Sequence, residues 1–404
     1  MSGQEYDPFA PREDEDAREE RAGEIARHFG TTPNSLSGVT EAARRAAVNG
    51  TPDANASTWV PLGPRNVGGA IRCVTFRQPT AGELAQQLPL HLAAGSAQGG
   101  LWISRTSGYR WEQAGLPDIV GAVGAVAWSA ADRRVLYVGT GDVPLTYPGG
   151  IGFFKSDDGG ASFTRLVTNS GGNGAAAHYL KIAIDPNDAH RAWVASSTGL
   201  WRLDGNAFSA EAITGVAAGT AVTDVAVTPD PANNNQYFVL AGIQGVGAAV
   251  GTWDRRNRRM TGWQVTTAGT VAAPWPAAIG IVRVAWGLTN PVPTAHTIMQ
   301  DATPTGVGTA TVDDPTPLYS STNLGVNWSA VAGANSPEPG GGIAWYALSL
   351  AVNPLNPAMV FAGSTDLFRT TDGGATPWTK VMDWTRYDNG DHSQHADHHA
   401  TVFE

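Results

Sequence analysis

Asp142 and Asp366 each follow an apolar run that closes on glycine, and such carboxylates are the groups of this chain best suited to moving protons. Two carboxylates can divide the work of acid and base at a glycosidic bond, and an inverting pair stands roughly 6.5 to 9.5 Å apart. Either aspartate can equally cap a turn. His178 and Asp224 open apolar runs, and Trp345 with Tyr346 offers ring faces on which a sugar can stack. These four are candidate ligand-binding residues.

The densest chemical cluster is Asp391-His392-Ser393-Gln394-His395-Ala396-Asp397-His398-His399. In an extended chain, successive side chains alternate, so His395, Asp397 and His399 share one face. Imidazole and carboxylate ligands in that pattern suit a divalent metal. The alternative is that these groups hydrogen-bond one another and their neighbours. No other cofactor is required by the sequence.

The elements that position these residues recur along the chain. A strand is followed by a turn, a second strand ends in glycine, and a hairpin follows. Second-strand ends read His91-Leu92-Ala93-Ala94-Gly95, Val135-Leu136-Tyr137-Val138-Gly139, Tyr237-Phe238-Val239-Leu240-Ala241-Gly242 and Met359-Val360-Phe361-Ala362-Gly363. The hairpins carry Ser156-x-Asp158-x-Gly160-x-x-Phe163, and looser copies at Thr370-x-Asp372-x-Gly374, Ser321-x-Asn323-x-Gly325 and Ser104-x-Thr106-x-Gly108. Asp204-Gly205 before Phe208, and Gly262-Trp263, read as eroded copies. The aromatic positions 111, 163, 208, 263, 328 and 378 are separated by 52, 45, 55, 65 and 50 residues. Spacings near those of a four-stranded propeller blade, about 40 to 50 residues, predict an all-β propeller of about seven blades.

Six blades are recognisable, near 67–112, 123–165, 178–210, 222–266, 282–330 and 346–381, and a seventh begins at 396–404 and is incomplete. Unpaired strand edges are an aggregation liability. The expectation is therefore a fragment of a longer protein, or a second chain or downstream segment, with the strand near Trp59, completing the last blade.

Residues 1–56 form an acidic tail, disordered or partly helical over Glu13 to Phe29, and 57–404 form the propeller. A net charge of −10 argues against nucleic acid as a partner. No apolar run is long enough for a membrane span and no signal peptide is recognisable, so a soluble protein, cytoplasmic or exported, is expected. Cys73 is the one cysteine, so no internal disulfide forms. The clustered Arg255, Arg256, Arg258 and Arg259 read as a solvated hairpin tip.

The Ser-x-Asp-x-Gly-x-x-Phe turn resembles the Asp-box, or BNR repeat, of sialidase-like propellers. Its aspartate accepts hydrogen bonds within its own turn and its glycine supplies positive φ, so it marks the fold rather than the chemistry. Trp59-Val60-Pro61-Leu62-Gly63-Pro64-Arg65-Asn66-Val67-Gly68-Gly69 resembles the opening of bacterial xyloglucanase-like propellers, a group that also resembles the sortilin domain. The stretch from Tyr137 to Asp142 with Gly150 to Ser156 resembles the second blade of that group, and His395-x-Asp397-x-His399 resembles its late-blade signature. The resemblance implies a catalytic carboxylate in the first blade, where this chain reads Ser96-Ala97-Gln98-Gly99-Gly100. Its partner acid would lie in a second propeller. The arginine triad implied by sialidases has only Arg65, Arg72 and Arg283 as candidates. These departures point to a non-catalytic or degenerate recognition propeller binding a glycan or a protein on its loop face. The alternatives are a glycoside hydrolase using Asp142, and an assembly factor docking through its acidic tail.

Overall fold

The structure, a computed structural model, describes residues 70–116, 121–142, 150–168, 178–266, 275–289, 291–302, 316–331, 339, 343–354, 356–383 and 397–403. The chain divides into two compact units, Met1–Tyr179 and Leu180–Glu404.

In the first unit, Ile71–Phe76 (β1), Leu92–Ser96 (β2), Gly100–Ser104 (β3) and Glu112–Gln113 (β4) form one sheet in chain order. Val123–Trp128 (β5), Leu136–Thr140 (β6), Gly152–Ser156 (β7) and Thr164–Thr168 (β8) form the next. The neighbouring strands run antiparallel.

The other four sheets follow the same plan. They are Tyr179–Asp185 (β9), Asp188–Ser196 (β10), Gly199–Asp204 (β11) and Ala207–Ala210 (β12); Val222–Pro229 (β13), Gln236–Ile243 (β14), Gly247–Asp254 (β15) and Arg259–Thr266 (β16); Ile279–Gly287 (β17), Thr294–Asp301 (β18), Leu318–Ser321 (β19) and Ser329–Val331 (β20); and Ser349–Asn353 (β21), Asn356–Gly363 (β22), Leu367–Thr370 (β23) and Thr379–Met382 (β24). The described residues thus form six four-stranded propeller blades.

Burial follows strand position. The middle strands β3, β6 and β7 are buried along their whole length, while β16, the last strand of its blade, is largely exposed. A continuous short apolar run between turn residues is what a strand covered on both faces requires. Core clusters form between successive sheets: Val123, Val126 and Trp128 of β5 pack with Ala93, Leu101 and Ile103, and Val282, Val284 and Trp286 of β17 pack with Phe238, Leu240 and Val250.

Glycine at the end of a second strand has a steric reason. A Cβ on Gly95 would lie 2.5 Å from Val123 Cγ1, one on Gly139 would lie 2.4 Å from Tyr179 Cβ, and one on Gly242 would lie 2.9 Å from Val282 Cγ1. Only the absence of a side chain lets the next inner strand come that close.

Several expectations are refined. The first described strand begins at Ile71, the expected start near 67 lying outside the described residues, and a short helix, Ala81–Ala85 (α1), is inserted between β1 and β2. Thr80 caps it: its Oγ1 accepts the Glu83 N–H, and Glu83 returns a carboxylate to the Thr80 N–H. Gly262-Trp263 lies inside β16 instead of in a turn; the turn of that hairpin is built on Asp254, whose carboxylate accepts the N–H groups of Arg256 and Asn257. The acidic tail, with its expected helix, lies outside the described residues. Residues 397–403 are described, and the His398 N–H donates to the Ser364 carbonyl at 2.9 Å.

Candidate functional site

The inner strands β1, β5 and β13 each carry a bulge near their N-terminal end, between Ile71 and Cys73, Val123 and Ala125, and Val222 and Asp224. The extra residues are Arg72, Gly124 and Thr223. A bulge turns one side chain away from the regular alternation, so these positions decide what the strand offers at its end.

In the first unit the re-aimed Arg72 finds Asp142, with Nε 2.7 Å from Oδ1 and both side chains buried. The Asp142 N–H donates to Nδ1 of His178 at 3.1 Å. Burial lowers the affinity of His178 for a proton below the usual histidine range, so it is held as a neutral acceptor. Asp142, only 3% exposed, is thus gathered with Arg72 and His178 into one buried cluster. Gly124 leaves room for the same chain crossing: a Cβ there would fall 2.4 Å from the carbonyl oxygens of Gly141 and Tyr179.

In the second unit Thr223 and Asp224 serve the backbone of β17. Thr223 Oγ1 donates to the Val282 carbonyl at 2.8 Å and accepts its N–H at 3.0 Å. One oxygen of Asp224 accepts the Val225 N–H at 2.8 Å and the other the Val284 N–H at 3.0 Å. Arg283 donates from Nε to the Leu348 carbonyl at 2.8 Å and from Nη1 to the Thr223 carbonyl at 2.6 Å. The side chains of Thr223, Asp224 and Arg283 therefore tie three consecutive blades together.

Asp366 lies between β22 and β23, with Lys380 Nζ 2.6 Å from its Oδ2. Trp345 is 6% exposed and its ring stands 5.5 Å from that of Tyr346. Tyr346 in turn meets His399 edge to face at 4.7 Å. The structure so brings Trp345, Tyr346 and His399 together, while Asp142 and Asp366 belong to different units. Of the expected metal set, His395 lies outside the described residues; Asp397 and His399 are described, with Asp397 at φ 84°. Among the described residues no group of three or more histidine, cysteine or acidic side chains converges as a metal site would need. Of the arginine triad, Arg65 lies outside the described residues, and Arg72 and Arg283 are engaged as above.

The Ser-x-Asp-x-Gly turns stand apart from these groups. Ser156 Oγ accepts the Gly160 N–H at 2.8 Å and donates to Asp158 Oδ1 at 2.7 Å, and Asp158 Oδ1 accepts the N–H groups of Ala161 and Ser162, each at 2.9 Å. Hydrogen bonds from Ser162 and Ser156 hold the Asp158 carboxyl down at about 2. Thr370 and Asp372 repeat the pattern, and Ser321 with Asn323 keeps most of it. A carboxylate already accepting this many donors is a turn staple.

Sequence reading did not find the partners. Arg72 carried one signal, a guanidinium inside an otherwise apolar alternation; Thr223 and Lys380 carried none. His296 was also missed: it is a buried imidazole in β18 whose two nitrogens have no hydrogen-bond partner among the described residues.

No family model matches the chain, and no curated protein does. Among solved structures it is similar to an ancestral GH74 enzyme, with a TM-score of 0.54 and 20% identity over 81% of this chain and 40% of that one. It is also similar to the GH74 enzyme of Niastella koreensis, with a TM-score of 0.50 and 16% identity over 78% of this chain and 45% of that one. The chain spans less than half the length of either protein. At such identities the likeness is one of fold: an all-β chain of four-stranded blades, shared with the propellers of GH74 enzymes.

Proposed function

We propose that this chain is a recognition propeller of the sialidase-like, Asp-box type, binding a glycan or a protein at the blade ends that carry the loops between second and third strands, without catalysing a reaction there. The observation that carries this reading is Ala97. It stands where the family resemblance implies a catalytic carboxylate, is 4% exposed, and donates its N–H to the Ala70 carbonyl at 2.9 Å. Its loop is closed by Ser96 Oγ, which accepts the Gly99 N–H at 3.0 Å. A methyl group cannot move a proton. The other inner carboxylates support the same reading, because Asp142 faces an arginine and Asp224 accepts two backbone N–H groups.

The test is a glycan array run beside a panel of aryl glycosides. Binding without turnover is expected. Turnover that disappears in Asp142→Asn, with the fold intact by circular dichroism, overturns the reading in favour of a hydrolase. Binding lost only on deletion of residues 1–56 favours docking through the acidic tail.

A further inference from the structure

The insertion α1 is pinned to the first unit, yet none of its residues is buried. Its Glu83 accepts from Arg77 Nη2 at 2.9 Å and also from Arg133 Nη2, while Arg133 Nε donates to the Gln78 carbonyl at 3.0 Å. What the insertion offers is apolar surface: Leu84 is 57% exposed and Leu88 49%. From there the chain runs beside the outer turn of the first blade. Leu90 donates its N–H to Ser107 Oγ at 2.9 Å and accepts the Ser107 N–H at 3.0 Å. That turn carries Tyr109, which is 59% exposed. Exposed apolar side chains supplied by two adjoining segments mark an interaction surface.

The charge around this surface is positive, in a chain whose net charge is −10. Arg77, Arg105, Arg110 and Arg133 stand against Glu83 and Glu112, four positive charges to two negative. Arg134 and Asp132 pair with each other at 2.8 Å and leave that balance unchanged. Arg105 meets the exposed Glu112 at 3.5 Å, and Arg110 is exposed with no ion pair among the described residues. The field reaches His91, whose carbonyl accepts the Arg77 N–H at 2.9 Å. Burial first, and then the charges of Arg77, Arg105 and Arg133, opposed in part by Glu83, lower the affinity of its imidazole for a proton.

Apolar groups beneath a positive rim suit an acidic segment that also carries aromatic rings. Tyr6–Glu20 of this chain has that composition: seven carboxylates against two arginines, with Tyr6 and Phe9 ahead of the acidic run. The 49 residues between Glu20 and Ala70, which precedes β1, span up to about 3.3 Å each, so reach does not limit the contact. The covalent link makes the binding intramolecular. We propose that the face formed by α1 and the first-blade turn is a docking site for the chain's own segment Tyr6–Glu20, with the aromatic rings covering Leu84, Leu88 and Tyr109 and the carboxylates facing Arg105 and Arg110. This inference does not rest on the recognition reading above.

The test follows amide exchange of residues 6–20 in the full chain by mass spectrometry. In about 0.1 M salt, exchange is expected to be at least about tenfold slower than in the variant Arg105→Glu/Arg110→Glu. Leu84→Ser/Tyr109→Ser is expected to lose the same protection through the apolar contacts alone. Both variants change exposed side chains, so the unfolding midpoint is expected to stay at the parent value. Raising the salt to about 1 M, where the Debye length falls to about 3 Å, is expected to release much of the protection. Adding Glu13→Lys, Asp14→Lys, Glu15→Lys and Asp16→Lys to the Arg105→Glu/Arg110→Glu variant is expected to restore it. Equal exchange in the parent and both variants, or no recovery on double charge reversal, overturns the proposal. Protection that disappears on dilution also overturns it, because a second copy would then hold the segment.

Discussion

Arg72 and Asp142 form a buried ion pair, Nε to Oδ1 at 2.7 Å, that joins the inner strand of one blade to the loop after the second strand of the next. Two charges removed from water each carry a desolvation penalty of several kcal/mol, and their mutual attraction offsets it only while both are present. Arg72→Met or Asp142→Leu alone is expected to cost about 3–5 kcal/mol. The double variant is expected to recover most of that loss, since it leaves no charge behind. Urea denaturation of the two single variants and the double variant measures this; single variants within about 1 kcal/mol of the parent would show that the pair is solvated.

Gly124 tests the bulge in the neighbouring strand. Its missing Cβ leaves room for two carbonyl oxygens, and backbone atoms give way less readily than a flexible side chain. Gly124→Ala is expected to destabilise the protein by about 1–3 kcal/mol through overpacking. Gly115→Ala, where a Cβ meets nothing within 4 Å among the described residues, is the matched control and is expected to leave the unfolding midpoint nearly unchanged.

His296 makes stability depend on pH. Burial lowers its pKa to about 4 from 6.5, so the folded state holds it neutral while the unfolded chain protonates it. Its full contribution is present above about 6.5, declines as pH falls from there to about 4, and is constant below that. The loss is on the order of 3 kcal/mol at one unit of pKa per 1.36 kcal/mol. His296→Leu is expected to remove this slope from a series of unfolding curves taken between those pH values. A slope that persists in the variant assigns it to other groups.

Asp158 and Asp372 are expected to matter for stability and not for ligand binding. Asp158→Ala removes an acceptor of two backbone N–H groups and is expected to cost about 1 kcal/mol, the scale of a side-chain cap. With its pKa held near 2, the stabilisation from Asp158 is present above the ordinary carboxylate range and disappears as pH falls toward 2. Thermal unfolding followed beside glycan binding separates the two effects: lost binding in a folded Asp158→Ala protein would place the turn in the site.

The repeat was legible because its causes are local. Alternating apolar residues make strands, glycine permits a close approach, and a serine or threonine with an aspartate or asparagine two residues on closes its own turn. Each of these acts within a few residues, so Leu136–Thr140, Gln236–Ile243 and the Ser156–Gly160 turn stand where the pattern put them. The insertion α1 escaped because it is five residues long and buries nothing. The turn of the fourth blade was misplaced because Trp263 suggested a motif whose other members are absent.

The sequence by itself determined that this is an all-β chain of repeated four-stranded units, with glycine near the second-strand end in four of them. Only the tertiary structure decided what the charged and polar side chains do. Asp142 and Asp224 look alike in the sequence, each an aspartate beside an apolar run. One meets an arginine 70 residues earlier, and the other accepts an N–H group from a strand 60 residues later. Those partners come from neighbouring blades, and a bulge that re-aims one side chain decides which group is met. Local pattern carries no record of a partner that packing alone brings within hydrogen-bond distance.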